Sequence, residues 1–301
     1  MTQPELSQTL VLPKAAERGR FNSPFGRALR RFGRHRLAVV GVVIIVVLVV
    51  AALLGSEEAA LRPSLRDRNL PPSIAHPFGT DRTGRDVFAR TLVGGRVSLS
   101  VGLVAVVFSI VIGTVLGALA GYYQGWVDAV IMRAVDIVMS FPIIVLLLSV
   151  VSLLGPGIFK IMIMIGLLTW TTPCRIVRGQ FLSLRRKEYV EAAHCIGLTD
   201  LQVAWRHILP NAMAPLLVYA SLGVATAVLL EASLSYLGLG VQPPTPSWGN
   251  MLNTARSIST MEQTPWQWIP PGVCTVLFVL AVNFVGDGIR DAVDPRALEA
   301  K

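Results

Sequence analysis

Charge is scarce in this chain. Of its 301 residues only 15% are Asp, Glu, Lys or Arg, while 53% are hydrophobic. A soluble domain carries about 25% charge, so an ordinary cytosolic globule is excluded, and so is a disordered chain, which needs low hydrophobicity and high charge. Cysteine is nearly absent. Cys174, Cys195 and Cys274 are far apart and odd in number, which gives neither a disulfide framework nor metal-ligand spacing. Lysine occurs only at 14, 160, 187 and 301 and never follows glycine, so the phosphate-cradling GxxxxGK[ST] loop of an ATPase cannot be built here. The four histidines, His35, His76, His194 and His207, form no HExxH pair, and no GxSxG occurs, which excludes the usual intramembrane hydrolases.

What remains is apolar sequence in blocks, with lipid as the matching solvent. A helix needs about 20 apolar residues to cross the bilayer core. The blocks Leu37–Ser56, Val97–Gly121, Ile137–Phe159, Ile161–Cys174, Ile208–Leu230 and Trp266–Gly286 predict six transmembrane helices in an all-α membrane protein. The fourth is short and gains length if Arg175 and Arg178 snorkel. The first has a long basic lead and reads as a retained anchor rather than a signal peptide. With both termini inside, the inner segments carry 18 basic residues and the outer ones 9, which is the bias expected of an N-in, C-in topology. The net charge of +9 then belongs with anionic lipid and not with nucleic acid.

Local patterns add detail. Ser23 and Pro24 form a helix start, with Phe25, Leu29 and Phe32 on one face, which predicts a short amphipathic helix lying on the inner leaflet. Gly113, Gly117 and Gly121 recur every fourth residue in the second span, a stripe that lets two helix backbones approach closely. Asp136 and Glu231 are the acids nearest the apolar interior. Both are read as interfacial, with Arg133 the expected partner of Asp136 and Glu231 near the outer end. Past the last span, Asp287, Arg290, Asp291 and Asp294 are expected to satisfy helix-end contacts, with Asp294-Pro295 opening a short terminal helix.

The segment from Arg175 to Asn211 is polar and lies inside by the charge bias. Arg185–Ile196 has good helix formers and meets Gly197, a left-handed stop. Thr199 with Gln202 makes a capping box, so a second short helix is expected from Asp200 to about Leu209, ended or kinked by Pro210. Ala192 and Ala193 keep one face of the first helix small, which suits helix-in-groove docking.

Glu191-Ala192-Ala193, Gly197, Leu198 and Ile208-Leu209-Pro210-Asn211 resemble the EAA loop of ABC importer permeases. The likeness extends to HPFGTDRTGRDVFAR (76–90), GYYQGWVDAVIMRAVDI (121–137), EASLSYLGLGVQPPTPSWGNML (231–252) and NFVGDGIRDAVDP (283–295). These are similar to the C-type permease of the oligopeptide, dipeptide and nickel importers. His194 and Cys195 depart from the family pattern, which has a small residue and a basic one there.

The resemblance implies a non-catalytic, multi-pass permease of the bacterial cytoplasmic membrane. It pairs with a homologous second permease, two ATPase subunits and an external substrate-binding protein. ATP and Mg are bound by the ATPases and no cofactor is expected in this chain. Residues 1–36 would be a basic inner tail, 37–56 the first span, 57–96 an external loop and 97–290 the five-helix core. The core would carry the coupling loop at 183–211, and 291–301 would be an inner tail. Glu191, Ala192, Ala193, Gly197, Leu198 and Pro210 are the implied ATPase-coupling residues. Peptides are the implied cargo, with nickel complexes or glutathione as alternatives. A secondary transporter and a non-transporting scaffold are the competing classes; the first typically shows internal inverted repeats, and no convincing one is found.

Overall fold

A computed structural model describes residues 24–293, and every regular element in that range is helical. The Ser23 cap and the Asp294-Pro295 helix start lie outside the described residues. In order the helices are α1 Pro24–Phe32, α2 Arg36–Leu54, α3 Glu57–Leu61, α4 Val87–Tyr123, α5 Gly125–Met139, α6 Ile143–Leu154, α7 Ile158–Thr169 and α8 Thr171–Leu184. Then come α9 Glu188–Cys195, α10 Asp200–Val203, α11 Leu209–Tyr236, α12 Trp248–Leu252, α13 Ile258–Gln263 and α14 Ile269–Val293. A π-helical stretch, Ala204–Ile208, joins α10 to α11 without a break. Five stretches are long and apolar enough to cross a membrane, and six if the bent pair α5–α6 counts as one span.

Two expected spans take a different form. The block predicted as a straight helix from Ile137 to Phe159 breaks at Ser140-Phe141-Pro142, where α5 and α6 meet at 86°. Pro142 has no N–H to continue the ladder and disfavours helix in the residue before it. The short fourth block instead belongs to a 27-residue stretch, Ile158–Leu184. Its polar second half runs beyond the apolar run that marked it in the sequence. The second inner helix also differs, since Pro210 does not end it. Pro210 sits in the first turn of α11, directly after the π-helical stretch. An extra backbone residue in that turn accommodates the missing N–H, so 200–236 runs as one rod of 37 residues.

α4 is the axis of the bundle. A Cβ on Gly117 would lie 2.5 Å from the Cys174 carbonyl oxygen, one on Gly113 2.6 Å from Pro173 Cγ, and one on Gly121 2.6 Å from Phe181 Cβ. The glycine stripe therefore carries the backbone of α8 against that of α4. Gly102 approaches Val228 of α11, and Gly166 of α7 approaches Phe108 of α4. Cores form on either side. One joins Val101, Ala105, Ile161, Ile165 and Leu234; the other joins Tyr122, Phe181, Val190, Val203 and Ile208.

α2 buries only Ala38, Gly41 and Ala52 and turns its valines outward, as a helix with lipid on most sides should. It leans on α14, where a Cβ on Gly41 would meet Ala281 O at 2.5 Å. α1 forms where the apolar spacing placed it. Its Phe32 ring packs over Gly288 of α14 while Leu29 stays exposed.

Replacing Gly117 by Ala is expected to force α4 and α8 apart and to cost about 1–3 kcal/mol, the range for overpacking. Gly179→Ala, on α8 but with open space around it, serves as the control. Thermal unfolding in detergent should show a lowered midpoint for the first and not for the second.

Candidate functional site

The polar turn 185–209 closes one end of the bundle. α9 stops in a Schellman arrangement: Gly197 at φ +86° donates its N–H to His194 O at 2.9 Å, and Leu198 N–H reaches Ala193 O at 3.2 Å. Thr199 then caps α10, with both halves of the capping box present. The two helices lock onto the bundle through Val190, Ala193, Val203 and Ile208, all buried, with Leu198 packed alongside.

The expected coupling residues separate by face. Ala193 is buried and Leu198 half-buried, while Glu191, Ala192, Gly197 and Pro210 are exposed. Ala193 therefore serves internal packing, and only Ala192 keeps the outer face small. The same turn exposes the apolar side chains of Tyr189, Ile196, Leu201 and Trp205 and the charged Arg185, Arg186 and Lys187; Leu201 and Trp205 border a groove against α4. Apolar and charged side chains thus stand exposed together at this end of the bundle.

Three anchors here escaped sequence reasoning because each joins residues far apart in the chain. The Tyr122 hydroxyl at the end of α4 donates to Asp200 Oδ1 at 2.7 Å. Arg185 donates to the Tyr122 carbonyl at 2.5 Å with its guanidinium 5.5 Å from the ring centre. Arg178 grips both oxygens of Asp128, at 2.5 and 2.6 Å. Asp136 pairs with Arg175 of α8 at 2.6 Å rather than with Arg133, because its partner comes from a neighbouring helix. His207 packs with its Nε2 buried and without a hydrogen bond; its carbonyl accepts from Asn211 Nδ2 at 2.7 Å. Past the last span, Asp291 faces His35 at 3.5 Å.

At the opposite end, segments 62–86 and 237–268 knit together. Trp266 and Gln267 donate to Thr80 O at 3.3 and 3.1 Å, and Arg82 reaches Thr260. Asp81 organises this cap. Burial pushes its pKa up, but hydrogen bonds from Thr83 and Arg85 and the charge of Arg85 outweigh that and hold it below its ordinary value. Glu231 near the end of α11 is fully buried rather than interfacial. Its Oε1 accepts from Ser235 at 2.7 Å and Ser247 at 2.9 Å, and its Oε2 from Ser98 at 3.1 Å. Among the described residues no cation pairs with it. Ser98 ties α11 to α4 and Ser247 ties it to the cap of α12, while Ser235 bonds within α11.

A family model for the binding-protein-dependent transport system inner membrane component matches residues 113–299. The chain belongs to this family. A second model, the N-terminal TM domain of oligopeptide transport permease C, matches residues 23–72.

Among curated relatives, a Brucella suis chain whose name places it among peptide permeases is 47% identical over 277 residues, covering 91% of this chain and 92% of that one. The dipeptide transport system permease protein DppC of Alkalihalophilus pseudofirmus is 41% identical, with 91% and 90% covered. The glutathione transport system permease protein GsiD of Escherichia coli O6:K15:H31 is 40% identical, with 91% of each covered. An inward-facing structure of the MetNI methionine ABC transporter shares the fold at TM-score 0.56 and 21% identity, covering 68% of this chain and 96% of that one. The chain is thus a multi-pass inner-membrane permease subunit of a binding-protein-dependent ABC importer, and its motifs fall in the peptide and dipeptide branch.

Glu231→Leu is expected to leave the hydroxyls of Ser98, Ser235 and Ser247 buried without their acceptor, at about 1–3 kcal/mol for each group left unsatisfied. Glu231→Gln, which keeps an acceptor oxygen, should lose much less. Unfolding midpoints of the two variants in detergent, against wild type, provide the comparison.

Proposed function

We propose that this chain is one of two homologous permeases of an ATP-driven importer of short peptides, oriented with both termini in the cytoplasm. The exposed turn 188–209 docks in a cleft of an ATPase subunit, and the cap of segments 62–86 and 237–268 faces the external binding protein. Two ATPases bind the ATP and Mg, and this chain does no chemistry.

The observation that carries the reading is continuity: the exposed turn is built into a rod of 37 residues, Asp200–Tyr236, that runs the depth of the bundle. Closure of the ATPase pair around ATP would move the turn, and the rod would carry that displacement to the far end, switching the pathway between inward- and outward-open states. The basic bias of 18 to 9 supports the orientation. Glutathione, itself a tripeptide, is the second reading of the cargo, favoured by the likeness to GsiD.

Reconstituted with its partner permease, ATPases and loaded binding protein, the chain should give ATP-dependent uptake of di- or tripeptides. The decisive variant is Gly197→Val. At φ +86° an added Cβ has nothing within 4 Å, so the cost is backbone strain, about 1–2 kcal/mol for an alanine-like residue and more for β-branched valine. That leaves the bundle assembled but misplaces α9 relative to its cleft. Near-normal membrane levels are expected, with uptake lost and ATP hydrolysis no longer stimulated by loaded binding protein. Glu191→Ala should do less, an exposed charge being worth about 0–1 kcal/mol. Full uptake and stimulation with Gly197→Val would contradict the lever role of this turn.

A further inference from the structure

A break in a membrane-crossing helix exposes backbone polar groups that lipid cannot satisfy. Such irregular backbone persists only where it is buried in protein or lines a wet cavity. At the α5–α6 bend, Val145 and Leu146 donate to Pro142 O at 3.0 and 3.2 Å, while the N–H groups of Ile143 and Ile144 find no acceptor among the described residues. The bend borders a cavity of about 390 Å³ that reaches across to α8 and α11. No Asp, Glu, Lys or Arg lines it.

The cavity wall opposite the break is rich in hydroxyls, and all but one of the buried or half-buried ones are used. Thr169 donates to Ile165 O at 2.7 Å, and the Tyr219 hydroxyl contacts Thr169 O at 3.2 Å and Ser109 at 3.3 Å. Thr171 is the exception. It is only 4% exposed, it lines the cavity, and its hydroxyl makes no hydrogen bond among the described residues. The unpartnered Thr171 hydroxyl and the open start of the 12-residue α6 border the same cavity, which makes a set of unfilled donors. The positive end of that helix favours an oxygen carrying negative charge. The volume lies at the small end of ligand pockets, which run from about 300 to 1,000 Å³. The rest of the wall, with Val106, Leu146, Leu168 and Leu222, is apolar and offers no charge with which to select a side chain.

We propose that this cavity is a substrate station inside the bundle, where a short peptide in transit places a backbone carbonyl or terminal carboxylate oxygen between the Thr171 hydroxyl and the first N–H groups of α6. It rests on the peptide-import reading above. The station reads the main chain, which every peptide shares, and tolerates different side chains against its apolar wall.

The test uses the complete reconstituted transporter with a dipeptide as probe, reading uptake and ATP hydrolysis together. Thr171→Val should lower peptide moved per ATP about three- to tenfold, the worth of one hydrogen bond. Stimulation of hydrolysis by loaded binding protein should persist, and Thr171→Ser should restore transport. Thr226→Phe fills the cavity from an exposed position and therefore spares the fold. It should block uptake while stimulated hydrolysis continues, and it decides the matter if Thr171→Val fails to assemble. Wild-type uptake per ATP in both variants would overturn the station while leaving the importer reading intact. A wild-type transporter that moves no peptide would overturn both, a result visible before any variant is made.

Discussion

Backbone-to-backbone contact along α4 is the constraint on which the rest of the bundle depends. In lipid the hydrophobic effect no longer drives helices together, so association rests on close packing and on hydrogen bonds between helices. Gly113, Gly117 and Gly121 give α8 a seat where a single methyl group would collide with main-chain atoms or a Cβ. Once α8 is seated, Arg178 meets Asp128, Arg175 meets Asp136, and Arg185 arrives over Tyr122. Each of these pairs then fixes a neighbouring element: α5, the approach to the α5–α6 bend, and the turn between α8 and α9.

The same contact governs how motion can pass through the molecule. Tyr122 holds Asp200 at the start of the rod. Near the rod's other end, Glu231 holds Ser98 of α4 and Ser247 ahead of α12. The rod is therefore bonded to α4 near both of its ends, while its middle, from Tyr219 to Ala227, borders the cavity at the bend. The turn and the far end of the rod are thus tied to the same helix, and the cavity lies beside the stretch between the two ties.

Much of this was legible in the residues. The glycine stripe, the Gly197 reversal and the Thr199–Gln202 capping box are local signals, each set by the conformational needs of one turn or one contact, and the structure has all three. What stayed hidden depends on neighbours. The π-helical stretch that carries the chain past Pro210 has no composition of its own. The bend at Pro142 sits inside an uninterrupted apolar run, where hydropathy alone reads a straight helix. Asp136 looked toward Arg133 in sequence, yet its partner is 39 residues away on α8. Glu231 looked interfacial because two of the three serines that make its burial tolerable, Ser98 and Ser247, lie on other segments. Thr171 carried no signal, since an unused hydroxyl is visible only once its surroundings are built.

The side of the membrane on which the α9–α10 turn lies is the fact on which the importer account stands. Cys195 reports it directly, being the exposed cysteine while Cys174 is buried and Cys274 partly so. A membrane-impermeant maleimide applied to intact cells should leave Cys195 unlabelled. The same reagent should label it in inverted membrane vesicles stripped of peripheral subunits. Labelling of Cys195 in intact cells would place the turn outside, away from any ATPase, and would contradict the account at its root.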